Sequence, residues 1–170
     1  VLNQLRANPQ NDAVLANLQD FSPTTATTAA VNLTQSVFEA FISVYKNRIY
    51  RTVSLLPVGK LRKEAAQMLV SPTSRQLIFA FCAYIANFGD FSNDVDWEPV
   101  QSAQINPQTY YLDHAMLSLQ RDRVIQRDTR SIYISFFLYG AYAGRGDYRQ
   151  AWFYLRESTT LYMMLKDEDR

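Results

Sequence analysis

Sulfur and imidazole chemistry are nearly missing from this chain, whose 170 residues hold one cysteine, Cys82, and one histidine, His114. A lone cysteine excludes an intramolecular disulfide and any multi-cysteine zinc site built by this chain alone. Cys82 lies inside an apolar run, where a thiol acts as a small buried hydrophobe. His114 has no serine or cysteine nucleophile near it, and no glycine-rich phosphate loop precedes a helical stretch. The chain therefore reads as a non-enzyme with no cofactor of its own. Glycine is scarce, with five in all, and β-rich runs are few, which argues against an all-β fold. Charge of one sign is lacking as well. The 17 Lys+Arg nearly cancel the 16 Asp+Glu, so no global field attracts or repels nucleic acid. No apolar run reaches the roughly 20 residues of a membrane span uninterrupted. The opening, VLNQLRANPQNDAVL, is too mixed and polar for a signal peptide. It has no initiator methionine, and LKDEDR ends the chain just after a helical pattern, so the expectation is a piece of a longer protein.

Apolar and aromatic surface is plentiful, at 48% and 14% of residues, enough for one α-helical domain over residues 1–170 with a sizeable core. The densest part is 129–165, TRSIYISFFLYGAYAGRGDYRQAWFYLRESTTLYMML, which reads as two apolar helices folded back about a Gly-Arg-Gly-Asp turn. Ile132, Phe136 and Tyr139 recur at helical spacing, with Tyr133, Phe137 and Gly140 on the adjoining stripe. Gly144 and Gly146 can adopt the positive φ that ends a helix, and Asp147 is placed to cap the next one. The second helix carries Ala151, Leu155 and Tyr162 on one stripe, with Trp152, Phe153 and Leu161 beside it. Trp152 is expected to be buried, so that its replacement by alanine would cost about 3–5 kcal/mol. Arg145-Gly146-Asp147 spells an adhesion tripeptide, but helix stop, turn and helix start account for it.

The rest of the chain must cover this hairpin. Residues 1–21 fit two short helices broken at Pro9, and residues 22–31, beginning SPTTATTAA, read as a mobile connector. Asn32-Leu33-Thr34 has the form of a glycosylation acceptor, a triplet frequent by chance. Ser36 and Glu39 have capping-box spacing ahead of a broad apolar face, Val37, Phe38, Phe41, Ile42, Tyr45 and Ile49. A short helix with Leu61, Ala65, Met68 and Leu69 follows. Its Lys60, Arg62 and Lys63, with Lys46, Arg48 and Arg51, form the most basic stretch, read as solvated helix faces. Ser71-Pro72 is a cap followed by a first-turn proline, and it opens a helix to Phe88 that is apolar on nearly every side after Gln76. Such a helix belongs at the centre, with Gly89 as its stop. Residues 90–106 form a long loop in which Trp97 tucks against the body. Asp90, Asp94, Asp96 and Glu98 lack the spacing, glycine and closing glutamate of a calcium loop. Asn106-Pro107 restarts a helix carrying Tyr110, Tyr111, His114, Leu117 and Leu119, followed by alternating charges from Arg121. The sum is an all-α, irregular bundle of six to eight helices with antiparallel hairpins.

Two stretches carry a resemblance. Residues 131–165 resemble the most recognisable segment of the fungal-specific transcription factor regulatory domain, the middle homology region of the zinc-cluster activators. Ala151, Trp152, Tyr154, Leu155, Arg156 and Glu157 stand at the matching positions of its Ala-Trp, tyrosine-rich helix. FEAFISVYKNRIYRTVSLLP and SRQLIFAFCAYIANF, within 38–88, resemble its opening helix and its Cys-Ala helix. The family has alanine and isoleucine where Ser158 and Thr159 stand here. The Trp-aromatic helix is similar to that of sugar-responsive members.

The resemblance implies the N-terminal half of a larger regulatory domain of a nuclear transcription activator, shuttling with the cytoplasm, that answers to a small-molecule inducer or a co-regulator protein. It also implies that DNA binding, and the zinc that serves it, belong to a segment outside this chain. The candidate inducer site lies among helix 72–88, the helix from 107 and the hairpin, where Tyr84, Tyr111, Tyr139 and Trp152 offer ring faces. Aromatic stripes at this spacing also serve simply as core. Helix 148–165 is expected to present an apolar face, with Tyr162 and Met163, that supports self-association. The alternative function is a protein-interaction scaffold, because Gly146, Asp147, Tyr148 and Ala151 also resemble a tetratricopeptide hairpin. No second copy appears at the ~34-residue period of such repeats.

Overall fold

The helix that opens at Pro72 organises the others. Ser71 Oγ accepts a hydrogen bond from the Ser74 backbone N–H at 3.2 Å, and Pro72 fills the first turn, where no N–H is needed. Gln76 to Asn87 are then all buried, including both polar ends of that run. The computed structural model describes residues 33–168 apart from 53, 92, 104 and 118–127. The expected short helices of 1–21, the 22–31 connector, the Asn32 acceptor, Leu119 and the alternating charges at 121–127 lie outside the described residues.

Among these residues there are seven α-helices and no strand, in agreement with the all-α expectation. They are α1 (Gln35–Val44), α2 (Val58–Gln67), α3 (Pro72–Phe88), α4 (Glu98–Gln101), α5 (Pro107–Leu117), α6 (Thr129–Gly144) and α7 (Tyr148–Glu168). A π-helical turn, Tyr45–Ile49, continues α1, and a 3-10 turn, Val95–Trp97, leads into α4. Residues 33–170 form one compact unit. Helix α3 lies inside it, packed by α1, α2, α5 and α6, while α7 packs on the far side of α6.

Each neighbour is held by an identifiable contact. The wider π turn carries the fully buried Tyr45, whose hydroxyl donates to the Leu56 carbonyl at 3.1 Å and accepts from the Leu56 N–H at 3.3 Å. This ties the end of α1 to the Leu55-Leu56-Pro57 connection. Arg75 closes the end of α2 by donating from Nε to the Met68 carbonyl at 3.0 Å. Rings fill the gaps between helices: Trp97 and Tyr111 meet Phe41 edge-on at 4.9 and 5.0 Å, and Phe81 bridges Tyr45 and Phe137 at 5.3 and 5.6 Å. Trp97 is buried in this cluster as expected, but residues 95–101 of the expected loop 90–106 are helical, a 3-10 turn followed by α4.

Three further expectations are corrected. Thr34, not Ser36, caps α1, with its Oγ1 accepting from the Val37 N–H, and Glu39 turns to Arg62 instead of closing a capping box. Gly146 alone has a positive φ, +78°; Gly144 still belongs to α6, and a Cβ there would overlap the Asn87 backbone carbonyl. Gly144 therefore serves close approach of α6 to α3, as does Gly140, whose missing side chain leaves room for the Tyr84 ring. Trp152 is 64% exposed, not buried. The stripe of α7 that meets α6 is Ala151, Tyr154, Ser158 and Leu161, and Trp152, one helical step of 100° from Ala151, points away. Asp147 caps α7 as expected, accepting from the Gln150 N–H at 3.2 Å.

These contacts predict an ordering of stabilities in urea unfolding. Gly144→Ala should destabilise by about 1–3 kcal/mol through overpacking against Asn87. Gly59→Ala, whose Cβ meets nothing within 4 Å, should be neutral or stabilise by about 0.4–1 kcal/mol. Trp152→Ala should stay within about 0.5 kcal/mol of the parent, as for an exposed side chain.

Candidate functional site

The four rings offered as an inducer site do not meet around one space. Tyr111 on α5 is fully buried between Phe41 and Phe79, and its hydroxyl has no hydrogen-bond partner among the described residues. Burial pushes its phenol far above the ordinary range. Tyr84 on α3 is buried against Gly140 and contacts Phe88, Phe136 and Phe137, and burial raises its pKa to about 12. Tyr139 on α6 is half-buried beside Phe136, so it shares a neighbour with Tyr84. Trp152 stands alone on the outside of α7. Three of the four therefore act as core or core margin.

The larger cleft opens nearby, where the ends of three helices converge. Its volume is about 800 Å³, within the range of small-molecule sites. Phe88 and Gly89 at the end of α3, Asn106 and Gln108 at the start of α5, and Gly144 at the end of α6 border it, with Phe91, Trp97 and Gln101 from the connecting segment. Asn87 Nδ2 donates to the Ala83 carbonyl at 2.8 Å and to the Gln108 carbonyl at 3.1 Å, which locks α3 to α5. Asn106 Oδ1 caps α5, accepting from the Gln108 and Thr109 N–H groups at 3.1 and 3.4 Å. The cleft thus combines ring faces with neutral amides and one carboxylate, Asp90. It occupies the same three elements as the expected site but uses different residues. Gly89, Asn106-Pro107 and Gly144 each read singly in the sequence as a helix stop or start, and nothing in the sequence brings the three together.

A second groove, about 470 Å³, runs between α1 and α4. One ion pair and one hydrogen bond engage two of its acids: Arg62 donates to Glu39 at 2.7 Å, and Ser43 donates to Asp96 at 2.6 Å. The Arg62 hydrogen bond holds the Glu39 carboxyl below its ordinary range. Asp94 pairs with Arg48 at 3.4 Å, and Lys60 lies over the Tyr133 ring at 5.2 Å. Arg48, Arg62 and Lys60 of the basic stretch are thereby engaged within the protein, while Lys46, Arg51 and Lys63 are exposed, as solvated helix faces require. No group of three or more metal-ligating side chains occurs among the described residues, and no described helix is long and apolar enough to cross a membrane.

Glu64 is the one buried carboxylate of the described core, 3% exposed. It accepts from Ser74 Oγ at 2.7 Å and Arg130 Nε at 3.0 Å, joining α2, α3 and α6, and Arg130 also pairs with Asp128 at 3.3 Å. Ser74 is buried while Arg130 and Asp128 are partly exposed, and the Glu64 bonds run from helix to helix, so the cluster is a fastening between elements. His114 is half-buried with its ring edge-on to Phe79 at 5.3 Å and Tyr110 at 4.2 Å. Cys82 is fully buried, and desolvation pushes its thiol pKa well up, so it is an unreactive core residue.

No protein-family model, curated protein or solved structure matches this chain.

The single histidine gives a direct titration. Desolvation lowers its pKa below the ordinary 6.5 against a smaller opposing pull from Asp113. The unfolded chain therefore takes up its proton first as pH falls, and stability is lost through and just below pH 6.5. Imidazole NMR should show a midpoint under 6.5, and His114→Gln should flatten that part of the stability profile. Tyr111→Phe removes a buried hydroxyl that has no partner, so it should leave stability equal or raise it, by up to about 1–3 kcal/mol in thermal or urea unfolding.

Proposed function

We propose that the chain is a regulatory, non-catalytic domain of a zinc-cluster transcription activator, controlling the activator's output in response to a small inducer or a co-regulator protein. The observation that supports this reading is that the residues carrying the resemblance form one structural unit. Ala151 and Tyr154 are buried against α6, and the Glu157 carboxylate lies 2.9 Å from the Ser135 hydroxyl on that helix. Trp152, Phe153 and Arg156 of the same motif are turned outward. A motif split in this way fastens a hairpin with one side and leaves the other for partners. Ser158, where the family has alanine, donates to the Ile132 carbonyl at 3.2 Å, so the departure is accommodated inside the same hairpin.

The cleft at the end of α3 is our candidate for the inducer, a small polar molecule such as a sugar, with Phe88 and Phe91 for ring stacking and Gln101 and Asn106 for orientation. In this reading DNA contact and zinc belong to a segment outside these residues, and the protein works in the nucleus. The scaffold alternative draws support from the Gly146–Ala151 turn. Against it, α3 is enclosed by four other helices, whereas a repeat array packs each unit only on its neighbours.

Fusing the chain between a heterologous DNA-binding module and an activation segment should lower reporter output, and the inducing condition should restore it. Calorimetry against sugars and related metabolites should show saturable binding that Phe88→Ala weakens at least tenfold. Unchanged reporter output together with sequence-specific DNA binding by the isolated chain would refute the proposal.

A further inference from the structure

The outward side of α7 is not an ordinary solvated helix face. Tyr148, Trp152, Phe153, Tyr162 and Met163 are each more than half exposed. Arg149 and Arg156 are exposed among them, at i and i+7, with Trp152 and Phe153 at i+3 and i+4 between the two. From Arg149 to Met163 this row runs about 21 Å at 1.5 Å per residue. Asp147 caps α7 and Glu157 lies against Ser135 on α6, while Asp167 and Glu168 follow only at the far end of α7, about 16 Å along the axis beyond Arg156. Among the described residues no carboxylate pairs with Arg149 or Arg156. Exposed tryptophan, tyrosine, methionine and arginine together are the composition of an interface core.

We propose that this face is a docking surface for an acidic peptide that carries apolar side chains at helical spacing. The rings and Met163 take the apolar side chains, and the arginines take carboxylates two helical turns apart. Charge decides between occupants. A second copy laid about a two-fold axis that crosses at the Trp152 and Phe153 rings would set Arg149 of one copy against Arg156 of the other, at a cost that an acidic partner turns into attraction. A nucleic acid strand offers a phosphate at every nucleotide, and two arginines over two helical turns are too sparse a row to track it. The inference rests on this surface alone and does not require the regulatory reading.

The test uses the whole chain and a synthetic helical peptide with Leu, Phe and Trp-free apolar positions at i, i+3 and i+7 and glutamates between them. Trp152 is exposed and the only other tryptophan, Trp97, is buried, so a blue shift of tryptophan emission reports cover of this face. Saturable binding with a blue shift is expected, weakening as salt is raised. Arg149→Glu with Arg156→Glu should weaken it at least tenfold, as should Trp152→Ala with Phe153→Ala followed by calorimetry. Lys63→Glu, on the exposed side of α2, should leave it unchanged. Circular dichroism checks that each variant keeps its helices, and Arg149→Gln with Arg156→Gln replaces the double glutamate variant if that one does not. No saturable binding, or binding indifferent to the arginine and ring variants, overturns the proposal. So does a single-stranded oligonucleotide that competes for the same residues, or a dimer in sedimentation that Trp152→Ala dissolves.

Discussion

The fold depends on how closely α6 can approach α3. Gly140 and Gly144, four residues apart, lie on one face of α6; the first makes room for the Tyr84 ring and the second for the Asn87 backbone carbonyl. Any side chain at Gly144 would strike main chain, which cannot swing aside as a flexible side chain does. With the helices this close, Phe81 and Phe137 meet edge-on and Asn87 reaches across to the start of α5. The same approach brings Gly144 to the rim of the larger cleft. Packing and candidate site therefore share one geometric requirement.

Around that contact, polar groups are used where the helices need a defined register. Glu64, Ser74 and Arg130 fasten α2, α3 and α6 at one point, and Ser135, Glu157 and Ser158 do so between α6 and α7. An apolar seam tolerates sliding because dispersion is not directional. A buried carboxylate that loses its partners is heavily penalised, so the Glu64 seam holds a single alignment, and the buried Ser135 and Ser158 hydroxyls fix the other. One side of α7 is thereby committed to α6. The other side is left with rings and arginines that no described helix covers, so five of the nine exposed large apolar side chains lie on α7.

Much of the architecture was legible in the sequence because it follows from local chemistry. Ser71-Pro72, Asn106-Pro107 and Asp147 each mark a helix start, since a side-chain oxygen before a first turn satisfies free N–H groups wherever the helix later packs. The unbroken apolar run after Gln76 determined that α3 is central, as a helix with no polar side has no other place in water. Tertiary structure alone decided which side of α7 is inside. Ala151, Leu155, Trp152 and Phe153 all lie in an apolar stretch with several possible stripes, and hydrophobicity favoured burying the largest ring. The winning stripe instead uses Ala151 and Ser158, because small residues let α7 lie close to α6 and allow Ser158 to reach the Ile132 carbonyl. Likewise Gly144 and Gly146 look alike in sequence, but only the distance to α3 shows that one is there for space and the other for its positive φ. The large cleft was beyond the sequence for the same reason: it belongs to the meeting of three helix ends, and no stretch of chain contains it.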